Sequence, residues 1–250
     1  MRDRRIILCA GLKSSGSTWL FNAVIQLVRG SAHPAARRAR ISQFYADDVS
    51  DFPLAARAAD ILIIKTHIPS PALQFLTRFM DGSVLVTIRE PRDAIASLMQ
   101  RFGHKFGDSL TEVSAGAAAL VTLAKSGNHL LLRYEDRFCE RQAALHRIAR
   151  YLALDHGAHL LAKVHRSLHQ SKVNGRIAQL SRKGVFGSRP DPDRFDPETH
   201  WHPGHIGDGQ IGKYKAVLSV AQSRSVLGRT KAFREVFGYV RRRPGHVAIM

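Results

Sequence analysis

The chain has 250 residues, 44% of them hydrophobic, which is enough for one α/β domain whose core needs no disulfides. Its 38 Lys and Arg outnumber 20 Asp and Glu, and the net charge of +18 favours anionic partners, from phosphorylated nucleotides to anionic surfaces. No apolar stretch reaches about 18 residues, so no membrane-spanning helix is predicted. With only two cysteines, Cys9 and Cys139, we expect a cytoplasmic protein in a reducing compartment.

Short apolar runs alternate with helical patterns along most of the chain. The runs typical of buried strands are residues 5–10, 61–64, 84–88 and 129–132. Apolar residues at helical spacing predict helices over residues 18–29, 71–80, 91–101, 109–125, 138–152 and 219–237. Little periodicity is visible in residues 30–58 and 171–215, which are predicted to be largely irregular.

The first predicted strand runs into a glycine- and serine-rich turn, GLKSSGSTW, directly before a helix. Backbone N–H groups at a helix N-terminus point at a bound anion, and the helix dipole favours negative charge there. The spacing is that of a Walker A loop with serine in place of lysine. Together these features predict an α/β, P-loop-like three-layer fold with a central, mainly parallel sheet flanked by helices. We expect a single domain over residues 1–240 and a basic tail over 241–250.

This loop resembles the first motif of the sulfotransferases that use 3'-phosphoadenosine-5'-phosphosulfate (PAPS), which runs Pro-Lys-Ser-Gly-Thr-Thr-Trp. The resemblance implies that PAPS is the co-substrate, that two hydroxyl residues hold its 5'-phosphate and that the tryptophan stacks on adenine. The nucleotide-binding residues implied in this loop are Ser15, Gly16, Ser17, Thr18 and Trp19.

A histidine and a lysine stand at the end of the second predicted strand, in Lys65-Thr66-His67. A histidine there faces the ligand crevice of an open α/β sheet, and its near-neutral pKa suits a general base. The segment resembles the family's Lys-Thr-His-hydrophobe-Pro motif, which implies that His67 is the catalytic base and that Lys65 neutralises sulfuryl oxygens. The family's loop lysine falls on Ser14 here, and Lys13 lies one residue earlier. The sequence leaves open whether Lys13 or Lys65 serves the leaving group.

Arg89 follows the third predicted strand, and Ser97 stands eight residues further on, within a helix. The planar arginine fork suits phosphate, and the serine adds a hydroxyl from the same side. The family's 3'-phosphate motif has the same spacing, so the resemblance implies that Arg89 and Ser97 hold the 3'-phosphate. Tyr134 resembles the tyrosine of the family's Tyr-Glu-Asp segment, which approaches adenine; a plain strand-edge tyrosine is the alternative.

Two basic segments compete for the family's last motif, Arg-Lys-Gly-x-x-Gly followed by Trp-Lys. Arg182, Lys183 and Gly184 fit its first part, and we expect them to close over the 3'-phosphate. The GQIGKYK segment, which contains Lys213 and Lys215, fits the spacing of the later part and is the alternative.

We therefore expect a sulfotransferase that moves a sulfuryl group from PAPS to an acceptor hydroxyl or amine and releases adenosine 3',5'-bisphosphate. The acceptor stays open among carbohydrate, lipid, phenol and peptide, as does the oligomeric state. No metal is predicted, although histidines cluster at 200, 202 and 205. A P-loop-type kinase with a degenerate Walker A loop and a non-catalytic basic module binding nucleic acid or membrane are the alternatives. Nucleic acid is not an expected partner, whereas peripheral contact with anionic surfaces is.

Overall fold

The structure of the chain is a computed structural model that describes residues 4–125, 127–187 and 194–240. Five strands form one sheet in the order β2-β3-β1-β4-β5, and each neighbouring pair is parallel. The strands are β1 Arg5–Gly11, β2 Ile41–Tyr45, β3 Ile61–Thr66, β4 Ser83–Ile88 and β5 Leu130–Arg133. Because all strands run the same way, their carboxyl ends meet at one edge of the sheet.

Helices cover both faces of the sheet. They are α1 Ser17–Gly30, α2 Pro34–Arg38, α3 Pro71–Phe79, α4 Pro91–Phe102, α5 Phe106–Lys125, α6 Gln142–Tyr151, α7 Ala158–Ser167, α8 Gln170–Arg182, α9 Tyr214–Val217, α10 Val220–Arg229 and α11 Lys231–Val236. Short 3-10 turns span Val49–Asp51, Leu54–Ala58, Tyr134–Asp136 and Phe138–Glu140.

Two apolar cores lie on opposite faces of the sheet, because successive strand residues point to opposite sides. Ile7 and Cys9 of β1 pack into the core formed with α1, α6, α7 and α8. Ile6 and Leu8 pack into the core formed with α3, α4, α5, α10 and α11. The expected three-layer fold with a parallel sheet is confirmed.

The prediction of largely irregular structure was wrong for part of each of the two stretches, whereas the described residues between 183 and 213 form no helix or strand, as expected. Residues 30–58 contain β2, an edge strand in which only Phe44 is fully buried, so that no continuous apolar run marks it. Residues 171–215 begin with α8, whose Val173, Ile177 and Leu180 bury one helical face. Prediction of secondary structure from the sequence pattern therefore failed where a strand or helix buries only a few apolar side chains.

Two further predictions differ in detail from the structure. The helix expected over 219–237 is divided into α10 and α11 at Thr230, and the one expected over 138–152 begins with a 3-10 turn. The expected tail, 241–250, lies outside the described residues. Within the described ranges, no helix combines the length and apolar character needed to cross a membrane.

Candidate active site

The carboxyl edge of the sheet brings the predicted nucleotide loop together with the ends of β3 and β4. The loop leaves β1 at Gly11, where a Cβ atom would lie 2.2 Å from Thr87 Oγ1 and 2.6 Å from Ser17 Cβ. Only glycine fits this close approach between neighbouring elements. The loop then turns through Ser14 (φ 62°) and Gly16 (φ 84°) into the N-terminus of α1.

Local hydrogen bonds fix the shape of this loop. The Ser15 hydroxyl donates to Leu12 O at 2.5 Å and lies 2.8 Å from the Thr87 hydroxyl, while Ser15 N donates to Leu12 O at 3.1 Å. Ser15 is therefore engaged within the loop itself. Ser17 and Thr18 are buried in the first turn of α1, at the positive end of the helix dipole.

His67 is half-buried just beyond β3, and its Nδ1 lies 2.6 Å from Gly11 O. Because a carbonyl oxygen can only accept, Nδ1 carries the hydrogen and Nε2 keeps a free lone pair. Burial, and then the charge of Lys65, lowers the pKa of His67 to about 3. The imidazole is therefore neutral at physiological pH, as a general base requires.

Asp47, which sequence reasoning missed, supports His67 from the loop after β2. Its Oδ1 accepts hydrogen bonds from the Thr66 hydroxyl at 2.5 Å and from the N–H groups of His67 and Ile68, each at 3.0 Å. Its Oδ2 accepts from the Tyr45 hydroxyl at 2.6 Å. One carboxylate thus fixes the turn that carries the histidine and the aromatic ring beside it.

Lys65 is buried at 7% exposure, 5.9 Å from the centroid of the Tyr45 ring. Burial first, and then the positive charge of Lys13, lowers the pKa of Lys65 to about 8, and the negative charge of Asp47 opposes this shift. Lys13 itself donates from Nζ to Glu112 Oε2 at 2.8 Å, with both side chains about one-third exposed. Exposed pairs of this kind contribute about 0–1 kcal/mol, so Lys13 can exchange its partner for a bound anion.

Arg89 is almost fully buried between the nucleotide loop and a segment near the C-terminus. Its Nη1 donates to Ser14 O at 3.1 Å and its Nη2 to Gln210 O at 2.7 Å. The ring of Tyr134 lies 4.2 Å from the guanidinium carbon. Ser97 is buried on α4, two turns beyond the helix start. The structure therefore brings Arg89 and Tyr134 into contact and places Ser97 on the helix that follows Arg89.

Residues 208–214, which include most of the alternative GQIGKYK segment, lie against Arg89. The basic segment that we expected there, Arg182 to Gly184, does not. Asp93 on α4 accepts from Gly212 N at 2.6 Å and Tyr214 N at 3.0 Å. Lys213 is buried there and donates to Asp208 at 2.6 Å. By contrast, Arg182, Lys183 and Gly184 lie at the exposed end of α8. The contacts at Arg89 thus favour the alternative segment that contains Lys213.

Three buried polar atoms at this edge have no hydrogen-bond partner among the described residues: Ser14 Oγ, Trp19 Nε1 and Arg89 Nε. An unpaired buried donor costs about 1–3 kcal/mol, so such atoms indicate a missing partner. Trp19 itself packs edge-on against Phe138, with ring centroids 5.4 Å apart. A nucleotide with anionic phosphates and an aromatic base fits this set of donors.

Residues 194–208 cover the histidine side of the edge. Asn22 of α1 donates to Thr199 O at 2.7 Å, and the buried His200 ring lies 4.8 Å from the Phe21 ring and 6.4 Å from the Tyr45 ring. Burial is the main cause that lowers the pKa of His200 to about 3. In the described parts of the chain, no group of three His, Cys, Asp or Glu is placed to hold a metal ion.

Comparison with known proteins gives a match in structure alone. No protein-family model and no curated protein sequence matches the chain. Mouse sulfotransferase SULT7A1 complexed with PAP superimposes with a TM-score of 0.62 at 14% identity, over 96% of this chain and 89% of that one. Retinol dehydratase in complex with androsterone and inactive cofactor PAP gives 0.61 at 14% identity, over 100% and 84%. The chain therefore has the sulfotransferase fold.

Proposed function

We propose that this chain is a PAPS-dependent sulfotransferase that modifies an acceptor hydroxyl or amine. The observation that carries the proposal is the meeting, at one sheet edge, of a neutral histidine, a buried lysine and an anion loop closed by a buried arginine. The structural relatives named above contain PAP, the product that PAPS leaves behind. Together these features support the sulfotransferase assignment over the kinase and the basic-module alternatives.

In the proposed reaction, His67 Nε2 takes the proton from the acceptor group while the acceptor oxygen or nitrogen attacks sulfur. The bond between sulfur and the bridging oxygen breaks, and adenosine 3',5'-bisphosphate leaves with the electron pair. Lys65 offsets the charge that develops there, joined by Lys13 if it leaves Glu112. Positioning and electrostatic stabilisation supply most of the rate, as in phosphoryl transfer.

The nucleotide would lie along the carboxyl edge of the sheet. Ser17 and Thr18 offer the N-terminus of α1 to the 5'-phosphate, and Arg89 with Ser97 offers a buried cation and a hydroxyl to the 3'-phosphate. The half-buried Tyr134 ring packs against the Arg89 guanidinium beside that subsite. Lys213 and the backbone of residues 208–214 would close this subsite.

The acceptor would enter beside Tyr45 and His200, which flank His67 on the side away from Arg89. Aromatic rings here suit a flat or ring-bearing molecule, and carbohydrate, lipid and phenol hydroxyls form the test panel.

The free thiols of Cys9 and Cys139 support the cytoplasmic location we propose.

The test is transfer of radiolabelled sulfate from PAPS to a panel of such acceptors, with formation of the bisphosphate measured in parallel. We expect labelled product and bisphosphate in equal amounts with at least one acceptor class, and neither with His67→Ala. Slow bisphosphate release that no acceptor accelerates and that His67→Ala does not change would contradict the assignment.

A further inference from the structure

Four polar or charged side chains form a stripe that begins two residues before α4 and continues along it. Arg89, Asp93, Ser97 and Arg101 follow one another at intervals of four residues. Residues four apart lie on the same face of a helix, and helical side chains slant toward its N-terminus. The Arg101 guanidinium carbon lies 4.7 Å from the centroid of the neighbouring Phe102 ring, where the head group meets residues 204 and 205. The first three members belong to the proposed 3'-phosphate subsite or contact its closing segment, residues 204–214, whereas Arg101 has no role so far.

None of the hydrogen bonds that Arg101 makes with the described residues goes to a carboxylate, and Asp208 acts on its charge only from beyond contact distance. Nε and Nη2 donate to Gly204 O at 3.1 and 2.8 Å, and Nη2 also donates to His205 O. Both acceptors are neutral carbonyl oxygens. Nη1 makes no hydrogen bond within residues 4–125, 127–187 and 194–240. A half-buried guanidinium with a spare donor and no carboxylate in contact is the arrangement expected of an anion ligand.

The closing segment makes room for this side chain. A Cβ atom at Gly207 would lie 3.0 Å from Arg101 Cδ and 3.5 Å from Nε, so a larger residue at 207 would push the arginine aside. The segment continues to Gln210, whose carbonyl binds Arg89. Arg101 and Arg89 therefore hold the same segment from two points, with Ser97 between them on the helix.

The two guanidinium groups also influence each other. Burial is the main cause that lowers the pKa of Arg101 to about 10; Tyr134 and the negative charge of Asp208 oppose this shift, and the positive charge of Arg89 adds to it. Asp93, the carboxylate nearest to Arg89 at 3.9 Å, accepts hydrogen bonds from the backbone of the segment with both oxygens. Two partly desolvated cations that repel each other are best relieved by a dianion between them.

We propose that Arg101 is a further ligand of the nucleotide's 3'-phosphate and, with Arg89 and Ser97, sets the preference for nucleotides that carry one. This inference rests on the proposed function, since it assumes that the edge binds a 3'-phosphorylated nucleotide. The competing account makes Arg101 a clamp that only holds residues 204 and 205 in place.

The experiment compares adenosine 3',5'-bisphosphate with adenosine 5'-monophosphate, which differ only in the 3'-phosphate, by calorimetry on the full chain. Arg101→Gln removes the charge but keeps an amide donor for the carbonyl groups. We expect this variant to weaken binding of the bisphosphate about 10- to 100-fold and binding of the monophosphate by less than about twofold. The affinity of Arg101→Lys for the bisphosphate should lie between those of Arg101→Gln and the wild type, because lysine keeps the charge.

The matched control is Arg92→Gln, a loss of the same charge on the same helix. Arg92 also contacts the segment, 4.0 Å over the Tyr214 ring, but is not a member of the stripe and pairs with Glu90. It should change neither affinity by more than about twofold. Melting curves without ligand check that each variant is folded. If Arg101→Gln does not fold, the affinities of Arg101→Lys for the bisphosphate and the monophosphate decide instead.

If the Arg101 variant binds both nucleotides equally more weakly, or binds both as the wild type does, Arg101 only holds the segment in place and the inference is overturned. Failure of the proposed function is distinguishable, because it is read from the wild-type protein. If the wild type itself shows no preference for the bisphosphate, the assignment of the whole edge falls, whatever the variants do.

Discussion

Two backbone segments touch Arg89, and they are held in different ways. The nucleotide loop, residues 12–16, offers Ser14 O and is fixed by short-range contacts such as Ser15 to Leu12. The closing segment, residues 204–214, offers Gln210 O and is fixed by side chains about a hundred residues away, such as Asp93 to Gly212. The loop is therefore built into the strand-to-helix connection, whereas the segment depends on α4.

This difference separates the two halves of the proposed chemistry. The loop side carries the catalytic machinery, since His67 bonds to Gly11 O at the base of the loop. The segment side carries recognition of the 3'-phosphate. Variants at His67 and its supports should change turnover, and variants on the segment side should change affinity for the 3'-phosphate.

The largest effect is expected at His67. His67→Ala should lower turnover by roughly 10²–10⁴-fold, because the reaction loses its general base. Affinity for the bisphosphate, measured by calorimetry, should stay within about twofold, because Arg89 and α1 are untouched. The control is His159→Ala, at an exposed histidine on α7, which should keep full activity. Wild-type turnover in His67→Ala at neutral pH would remove this residue from the mechanism.

The next effect is expected at Asp47, which positions His67 without touching substrate. Asp47→Asn turns one acceptor oxygen into a donor and disturbs the turn, so turnover should fall roughly 10- to 100-fold while the KM for PAPS changes little. Asp48→Asn is the matched control, because the Asp48 carboxylate bonds to Ser50 and Ser70 and caps the exposed turn at Val49–Asp51, and within the described residues it makes no hydrogen bond to His67. If both variants lose the same activity, a general loss of stability explains the result, and the positioning role fails.

Much of the fold could be predicted because its central strands are buried on both faces. The apolar runs of β1, β3 and β4 mark them clearly, and the glycine turn after β1 marks the edge that binds anions. The edge strand β2 carries polar residues and leaves no such mark. In α8, Val173, Ile177 and Leu180 do stand at helical spacing, but they are few among polar residues and the prediction passed over them.

The site residues divide in the same way, into those that the sequence pattern marks and those that it does not. His67, Lys65 and Arg89 stand at the ends of apolar strands, where a sequence shows them directly. Asp47 follows the unmarked β2, so nothing in the sequence assigns it to the site. The spacing of Arg89, Asp93, Ser97 and Arg101 was readable, but the segment that the stripe faces is distant in sequence. Long-range contacts are what the sequence could not supply, and the roles of the individual residues stay predictions.

A smaller effect, about tenfold in turnover, is expected at Lys13 if it leaves Glu112 for the bridging oxygen. Lys13→Ala should lower turnover with little change in the KM for PAPS, whereas Glu112→Gln, which frees Lys13, should not lower it. Steady-state kinetics on both variants decides between the two lysines. Unchanged turnover in Lys13→Ala would assign the leaving group to Lys65 alone.

The smallest effect is a pH dependence set by Lys65. The free protein holds the pKa of Lys65 at about 8, so the charged form that attracts the anion prevails below that pH and is lost above it. Affinity for the bisphosphate should fall roughly fourfold between pH 7 and 8.5. Lys13→Met removes a charge that lowers this pKa, so the fall should begin at higher pH. An affinity that is flat over this range in both proteins would exclude Lys65 as the titrating contact.

The central claim is that this edge binds a nucleotide with a 3'-phosphate, and calorimetry tests it most directly. Adenosine 3',5'-bisphosphate should bind the wild-type chain far more tightly than ATP. Arg89→Ala should cost about 2–4 kcal/mol of binding free energy for the bisphosphate and much less for adenosine 5'-monophosphate, because a desolvated charged contact to the 3'-phosphate is lost. Binding of ATP as tight as that of the bisphosphate, or an equal loss for both adenosine nucleotides in Arg89→Ala, would contradict the account.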